Sequence, residues 1–193
     1  FLFSLPLMLG NIFQQLYNTM DTMIIGNILG DKSLAAIGAC AAVYELLIGF
    51  ALGIGNGLSI VIARAYGAGD KKLLKRSVAA SLVIGLVVTM IIMIFSKIFL
   101  YPLLKVLHTP ANIIEESYSY ISTITIFVGV MFAYNLLAGL LRAIGNSLMP
   151  LVFLIISSVI NVILDLVFIG KFNMGIKGAA VATVIAQGIS AVL

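Results

Sequence analysis

The sequence predicts an all-α integral membrane protein with six transmembrane helices. Of its 193 residues, 62% are hydrophobic and 9% are charged, whereas soluble domains are about 45–50% apolar and about 25% charged. The mean hydropathy is +1.22. A water-soluble globule of this composition would expose large apolar patches and aggregate, which excludes a cytosolic enzyme, a nucleic-acid binder and a disordered tail. The third observation is that six apolar runs alternate with short polar segments.

The apolar runs are long and continuous, which favours helices over strands. A membrane-spanning helix needs about 20 apolar residues, whereas the strands of a membrane β-barrel alternate over about 10 residues. In order, the runs cover about residues 1–28, 35–63, 78–104, 118–141, 151–169 and 178–193. The last run rises only about 24 Å as a helix, less than a bilayer core of about 30 Å. We therefore expect a fragment of a longer membrane protein, whose sixth helix is truncated here.

Basic residues concentrate between the second and third runs, which predicts the orientation. The residues of this loop that carry positive charge are Arg64, Lys71, Lys72, Lys75 and Arg76. Loops rich in Lys and Arg stay in the cytoplasm. Alternation then places the amino terminus and the fourth loop, which contains Arg142, inside, and the other loops outside. We expect a multi-pass protein of the inner (plasma) membrane with a cytoplasmic amino terminus.

Three acidic residues lie within the predicted spans, namely Asp21, Glu45 and Asp165. A charge in hydrocarbon costs about 2.5–3.5 kcal/mol on insertion scales and usually faces a cavity or a partner. No Lys or Arg lies deep in a span to neutralise them, so these groups can exchange protons or coordinate a cation. Asp21 precedes Gly30 by nine residues and Asp165 precedes Gly175 by ten. Since both glycines open the next helix, we expect the two aspartates at similar depth.

Polar side chains recur along the first helix at steps of three and four. They are Asn11, Gln14 or Gln15, Asn18, and Asp21 or Thr22. This spacing places them on one helix face, and Tyr17 lies one turn before Asp21. Polar packing between helices is the alternative. A complete stripe with a carboxylate is more than packing requires, so we expect Gln14 and Asn18 to line a water-accessible cavity.

The fifth helix repeats this logic. Ser157 or Ser158, Asn161 and Asp165 share one face at steps of four. Asn161 can offer either a carbonyl oxygen or an amide donor to whatever binds Asp165. The alternative is a buried, neutral, hydrogen-bonded aspartate.

Three further polar residues lie at span depth. Glu45 has no polar stripe beside it apart from Tyr44. It is either a third titrating group that lines the cavity or a residue near the membrane interface. Asn135 and Thr183, each considered alone, are more typical of helix packing.

Several segments, in their order and spacing, form a specific pattern. They are Pro6, NIFQQLYNTMDTMIIG (11–26), LAAIG (34–38), GIGNGLSIVIARAYGAGD (53–70), LRAIGN (141–146), NVILD (161–165) and MGIKGAAVATVIAQ (174–187). Together they resemble the amino-terminal half of a MATE (multidrug and toxic compound extrusion) transporter, over essentially all 193 residues. The resemblance implies one six-helix lobe of a twelve-helix, pseudo-two-fold transporter that exchanges an organic cation for H⁺ or Na⁺.

The resemblance also implies a cation-coupling site. Its residues would be Asp21, Tyr17, Asn161, Asp165, Asn135 and Thr183. Asp21, Asn161 and Asp165 would ligate the metal only if the transporter is Na⁺-coupled, whereas Glu45 matches no motif residue of the family. The implied partners are a small organic cation, the lipid bilayer and the carboxy-terminal lobe of the same protein. No nucleic acid, enzymatic activity or cofactor beyond the transported ion is implied.

Two other functions compete with this interpretation. A lipid-linked oligosaccharide flippase of the same superfamily should carry several cations in its cavity for pyrophosphate, and the deep spans hold no Lys or Arg. An intramembrane aspartyl protease uses two aspartates that share a proton. That class requires a Gly-x-Gly-Asp context, whereas Asp165 follows Ile163 and Leu164. The antiporter is therefore preferred, while the substrate and the choice between H⁺ and Na⁺ stay open.

Overall fold

A computed structural model describes residues 4–193 as an all-helical protein. Its helices are α1 (Ser4–Leu29), α2 (Asp31–Tyr44), α3 (Phe50–Gly67), α4 (Lys71–Val106), α5 (Ile114–Ile126), α6 (Val128–Ala143), α7 (Leu148–Asp165) and α8 (Ile176–Val192). One π-helical turn, Glu45–Gly49, joins α2 to α3, and a second, Leu166–Lys171, extends α7. The predicted runs fall on these helices, and positions 1–3 of the first run lie outside the described residues.

The helices extend beyond the apolar runs that predicted them. The third run begins near residue 78, but α4 begins at Lys71. Asp70 caps this helix, because its side chain accepts hydrogen bonds from the backbone amides of Lys72 and Leu73, both at 2.9 Å. Much of the basic cluster therefore lies on the first turns of α4. Hydropathy marks the apolar part of a helix, not the point at which its hydrogen bonding begins.

Three helical segments among the described residues are long and apolar enough to cross a membrane. They cover Asp31–Gly67, Lys71–Val106 and Leu148–Lys171. Helices α5 and α6, bent by 53° relative to each other, make a fourth span if they cross together. Helix α1 falls outside this set because its polar stripe lowers its hydropathy, and α8 is shorter. A count of six spans therefore stays a prediction.

Helices α3 and α6 pack closely and run in the same direction. The ring of Phe132 lies against Gly55 and occupies the space beside Gly85, while Ser59 lies against Gly139. A side chain at Gly85 or Gly139 would overlap these neighbours. Small residues at the contacts let the helix backbones approach closely, as in membrane helix packing. The parallel course places the carboxyl ends of α3 and α6 at the same end of the molecule.

The connections before α2, α5 and α8 meet at the opposite end of the helical assembly. Lys32 Nζ pairs with Glu116 Oε1 at 2.8 Å, and the Tyr101 hydroxyl donates to Glu115 Oε1 at 3.1 Å. A surface depression there is lined by residues from all three helix starts, including Lys177. Gly30 and Gly175 open α2 and α8 with φ angles of 83° and 62°, a region that favours glycine.

Candidate functional site

A cavity of about 550 Å³ lies among α1, α2, α5, α6 and α8. Its polar lining residues are Gln14, Tyr17, Asn18, Asp21, Thr22, Tyr44, Glu45, Tyr120, Tyr134, Asn135, Thr183 and Gln187. The structure thus places Gln14, Asn18 and Glu45 in the lining of the same cavity as Asp21. The polar side chains of α1 repeat at helical spacing and therefore share one face of the helix. This face lines the cavity.

Asp21 and Asp165 come together at the edge of the cavity. Asp165 is fully buried at the end of α7, whereas Asp21 lines the cavity from α1. Their carboxyl groups lie within hydrogen-bonding range of each other. Among the described residues, Oδ1 of each aspartate is buried without a hydrogen-bond partner. Two adjacent carboxyl groups with unpaired oxygens form a site that a proton or an oxygen-coordinated cation can occupy.

Asn161 and Thr183 support this carboxyl pair. Asn161, fully buried, lies one turn before Asp165. With its amide oriented to satisfy both neighbours, it donates to Asp165 Oδ2 at 3.0 Å and accepts from the Thr183 backbone amide at 3.1 Å. The Tyr17 hydroxyl is 3.5 Å from Thr183 Oγ1, to which it donates. Asp165 is thus linked through Asn161 to Thr183 of α8, and Thr183 in turn contacts Tyr17 of α1.

Asn135 occupies a different position from these residues. It lies on the cavity wall in α6, and its Nδ2 donates to the Met131 backbone carbonyl at 2.8 Å. The side chain therefore satisfies its own helix backbone, not the carboxyl pair. It is a cavity-lining residue in this structure.

Glu45 begins the π-helical turn between α2 and α3, and its side chain is exposed on the cavity wall. Its Oε2 lies 3.5 Å from the position that a Cβ at Gly49 would take, so the carboxylate folds along its own helix. π-helical turns occur frequently at functional sites. The structure therefore places Glu45 in the cavity lining, at the junction of α2 and the π-helical turn.

A second cavity, of about 450 Å³, continues from the first toward the amino end of α1. It shares Gln14, Tyr134 and Asn135 with the first cavity. Its remaining polar lining residues are Asn11, Asn56, Arg142 and Ser147. A polar surface therefore extends from the carboxyl pair toward the end of the molecule where α3 and α6 terminate.

The sequence interpretation missed three lining residues, Tyr120, Tyr134 and Gln187. Gln187 follows Thr183 by four residues and so shares its helix face, which is a usable signal. Its Oε1 is buried without a partner in the described part of the chain. Tyr134 directly precedes Asn135 in an apolar run. Tyrosine is common in cores and at membrane interfaces, so type alone does not mark a cavity.

Comparison with known proteins adds to this geometry. A family model described as "MatE" matches residues 6–167. The chain belongs to the MATE family. This membership confirms the family that the sequence motifs predicted.

This MATE chain is similar to curated proteins of Bacillus subtilis and Staphylococcus aureus. It is 35% identical over 188 residues to "Probable multidrug resistance protein YoeA" of Bacillus subtilis, covering 95% of this chain and 41% of YoeA. It is 25% identical over 189 residues to "Multidrug export protein MepA" of Staphylococcus aureus, covering 96% and 41%. The chain thus spans about two fifths of the length of these relatives.

Solved structures of MATE proteins and of a MOP superfamily transporter share this fold. A MOP superfamily transporter from Pyrococcus furiosus, described as having a binding pocket of reverse polarity, superposes with a TM-score of 0.90 at 28% identity, over 98% of this chain and 42% of that one. A MATE protein in the bent conformation gives a TM-score of 0.87 at 29% identity, over 97% and 42%. The straight conformation gives 0.82 at 29% identity, over 98% and 42%.

Proposed function

We propose that this MATE chain forms the amino-terminal lobe of a secondary antiporter that exports organic cations in exchange for H⁺ or Na⁺. The carboxyl pair of Asp21 and Asp165 is the observation that carries the proposal. Two carboxylates in hydrogen-bonding range repel each other strongly unless a positive charge lies with them. A proton or Na⁺ bound to this pair therefore removes a large electrostatic penalty, and its departure restores negative charge beside the cavity.

This change of charge couples the ion to the substrate. Without a bound ion, Asp21 presents negative charge to the cavity and attracts an organic cation. When H⁺ or Na⁺ binds the pair, that attraction falls and the substrate dissociates. The charge of Asp21 thus couples the binding of the two ligands, and each favours a different conformational state by its differential affinity. For Na⁺, the oxygens of Asp21, Asp165 and Asn161 would supply the ligands.

Asn161 can serve both charge states of Asp165. When the carboxylate is ionised, the Asn161 amide nitrogen donates to Oδ2. When Oδ2 carries a proton, the amide turned by 180° accepts from it over the same 3.0 Å contact. The side chain therefore holds Asp165 in one position while the charge of the pair changes.

The cavity lining favours a cationic substrate over a pyrophosphate lipid. The 550 Å³ cavity presents Asp21 and Glu45 together with four tyrosines, Tyr17, Tyr44, Tyr120 and Tyr134. Aromatic faces attract organic cations. Across both cavities of the described part of the chain, Arg142 is the one basic lining residue. A flippase cavity for pyrophosphate would need several, so the antiporter is preferred.

The proposal includes a topology and a partner. Six spans cross the plasma membrane, with the amino terminus in the cytoplasm, because the basic residues near Arg64 and Arg142 share one end of the molecule. The carboxy-terminal lobe of the same full-length protein supplies the other wall of the transport path. The relatives, which are more than twice as long as the matched region, support this arrangement.

Ethidium efflux from pump-deficient bacterial cells tests the proposal. The cells express the full-length protein, its Asp21→Asn form or its Asp165→Asn form at matched membrane levels. We expect the wild type to extrude ethidium and both variants to lose at least about tenfold in rate, as for loss of an essential charged ligand. A pH and Na⁺ titration of the wild type then identifies the coupling ion.

Asp31→Asn is the matched control, because it removes an exposed carboxylate at the start of α2. This variant should extrude ethidium at the wild-type rate. If Asp21→Asn and Asp165→Asn extrude ethidium at the wild-type rate, the carboxyl pair does not couple transport. A wild type that extrudes no cation would contradict the assigned substrate class.

A further inference from the structure

Two acidic residues, Asp21 and Glu45, line the 550 Å³ cavity, and the coupling scheme gives a role only to Asp21. We propose that Glu45 is the carboxylate that contacts the cationic centre of the substrate, while the Asp21 and Asp165 pair holds the coupling ion. This inference rests on the proposed antiport function and deepens it by dividing two roles between two sites in one cavity.

The energetic argument begins with the position of Glu45 along its helix. It lies fourteen residues beyond Asp31, which is about 21 Å along a helix of 37 residues. A carboxylate at this depth needs water, a partner or a polar cavity. The described residues contain one ion pair, Lys32 with Glu116, so Glu45 has no Lys or Arg partner among them. The cavity is what accommodates its charge.

Glu45 and the aspartate pair differ in burial. Asp165 is fully enclosed, and Oδ1 of Asp21 is shielded from solvent. Only a small ion can reach such oxygens. Glu45 is exposed on the wall of the 550 Å³ cavity, which has space for a drug-sized molecule by the usual range of about 300–1,000 Å³. The two sites thus suit ligands of different size.

The two sites also differ in depth. Asp21 precedes Leu29, the end of α1, by eight residues, or about 12 Å of helix. Measured from the same α1–α2 turn, Glu45 therefore lies about 9 Å deeper. This separation lets one carboxylate hold an organic cation while the other pair exchanges its ion.

The local structure presents Glu45 to the cavity. Ile37, Cys40, Ala41, Tyr44 and Glu45 line the cavity at steps of three and four along α2. Tyr44, beside Glu45, adds an aromatic face on the same wall. The Glu45 carboxylate lies along the helix surface, with Oε2 3.5 Å from the position that a Cβ at Gly49 would take. A carboxylate next to aromatic rings is a suitable contact for an organic ammonium or iminium group.

Binding of two related dyes tests this role. Ethidium and propidium share a phenanthridinium ring system, with one and two positive charges respectively. The purified full-length protein is titrated with each dye by fluorescence. For Glu45→Gln we expect the Kd of ethidium to rise about tenfold, as one lost charge contact implies, and that of propidium to rise further. Glu45→Asp, which keeps the charge, should give intermediate values, and Asp31→Asn should match the wild type.

A second measurement separates this role from a general loss of structure. In Glu45→Gln, the coupling ion should change the affinity for ethidium by the same factor as in the wild type. In Asp165→Asn, the coupling ion should no longer change this affinity. If Glu45→Gln and Glu45→Asp bind both dyes as tightly as the wild type, Glu45 is not the substrate contact, although the antiport proposal survives. If the wild type binds neither dye, the antiport proposal itself fails.

Discussion

The amide group of Asn161 lies 3.0 Å from Asp165 Oδ2, one turn away on the same helix, and both side chains are fully buried. Asn161→Ala removes the side chain that orients Asp165 and leaves Oδ2 without this partner. Residues that orient the ligands of a bound ion typically affect activity by about 10–100-fold. We therefore expect coupled ethidium efflux by the full-length protein to fall within that range.

Ser157→Ala is the control for Asn161→Ala. Ser157 is buried on the same face of α7, one turn earlier, and its replacement should leave efflux within about twofold of the wild type, as expected for a site away from the carboxyl pair. Equal loss in both variants would mean that packing along α7, and not support of Asp165, explains the result.

The variant Gly85→Ala tests the close packing of α4 on α6, where Gly85 faces the ring of Phe132. A methyl group at Gly85 would overlap the Phe132 ring, which is 4% exposed and whose opposite edge lies 3.5 Å from the position that a Cβ at Gly55 would take. The ring has little room to move, so Gly85→Ala should cost about 1–3 kcal/mol, as for overpacking of a core. Thermal or denaturant unfolding of the full-length protein in detergent measures this.

Gly57→Ala provides the matched control for Gly85→Ala. A Cβ at Gly57, in the interior of α3, has no neighbour within 4 Å, and alanine is favoured over glycine within helices. Its stability should equal or exceed that of the wild type. In Gly85→Ala, the additional change Phe132→Leu should recover part of the loss. Additive effects of the two changes would contradict the proposed overlap.

The sequence predicted the all-helical fold and a similar depth for Asp21 and Asp165, because both follow from local signals, whereas the grouping of the two aspartates in one site was implied by the MATE resemblance. Long apolar runs indicate helices, and spacings of nine and ten residues from Asp21 to Gly30 and from Asp165 to Gly175 indicate a similar depth. The π-helical turns at Glu45 and after Asp165 were not predictable, because an extra residue in a helical turn leaves no period in an apolar run. Tyr120 and Tyr134 were missed because their role depends on which helices meet, a property of tertiary packing.

Glu116 makes two contacts of different kinds, an ion pair with the exposed Lys32 and a hydrogen bond with the buried Ser33. Lys32 and Glu116 side chains are 57% and 29% exposed, so Lys32→Ala should cost less than about 1 kcal/mol of stability. Glu116→Ala should cost more, about 1–3 kcal/mol, because it also removes the acceptor of the Ser33 hydroxyl, bonded at 2.9 Å. Ser33 is 8% exposed and has little access to water.

Denaturant unfolding at low and high salt checks this order. High salt should weaken the Lys32 effect, because it screens exposed charges, and should leave most of the Glu116 effect in place. Tyr101→Phe, which removes the hydrogen bond to the exposed neighbour Glu115, is the comparison for a polar contact near the same helix end. A Lys32 effect equal to that of Glu116 would refute the assignment of the larger loss to Ser33.

Two buried hydroxyl groups in contact between α4 and α5, those of Ser96 and Thr125, have different hydrogen-bonding roles. Ser96 Oγ and Thr125 Oγ1 lie 2.8 Å apart and are both buried. The Thr125 hydroxyl already donates to the Ile121 carbonyl at 3.0 Å, so Ser96 is the donor in this contact. Thr125→Val thus strands a buried donor and should cost about 1–3 kcal/mol, whereas Ser96→Ala loses only one hydrogen bond, about 0.5–1.5 kcal/mol.

Unfolding free energies of Ser96→Ala, Thr125→Val and the double variant complete this test. The double variant should be more stable than Thr125→Val alone or close to it, because Ser96→Ala removes the stranded hydroxyl that makes Thr125→Val costly. The two changes should therefore be less than additive, as for side chains in direct contact. Additive losses would mean that Ser96 finds another acceptor within α4, such as the carbonyl one turn earlier.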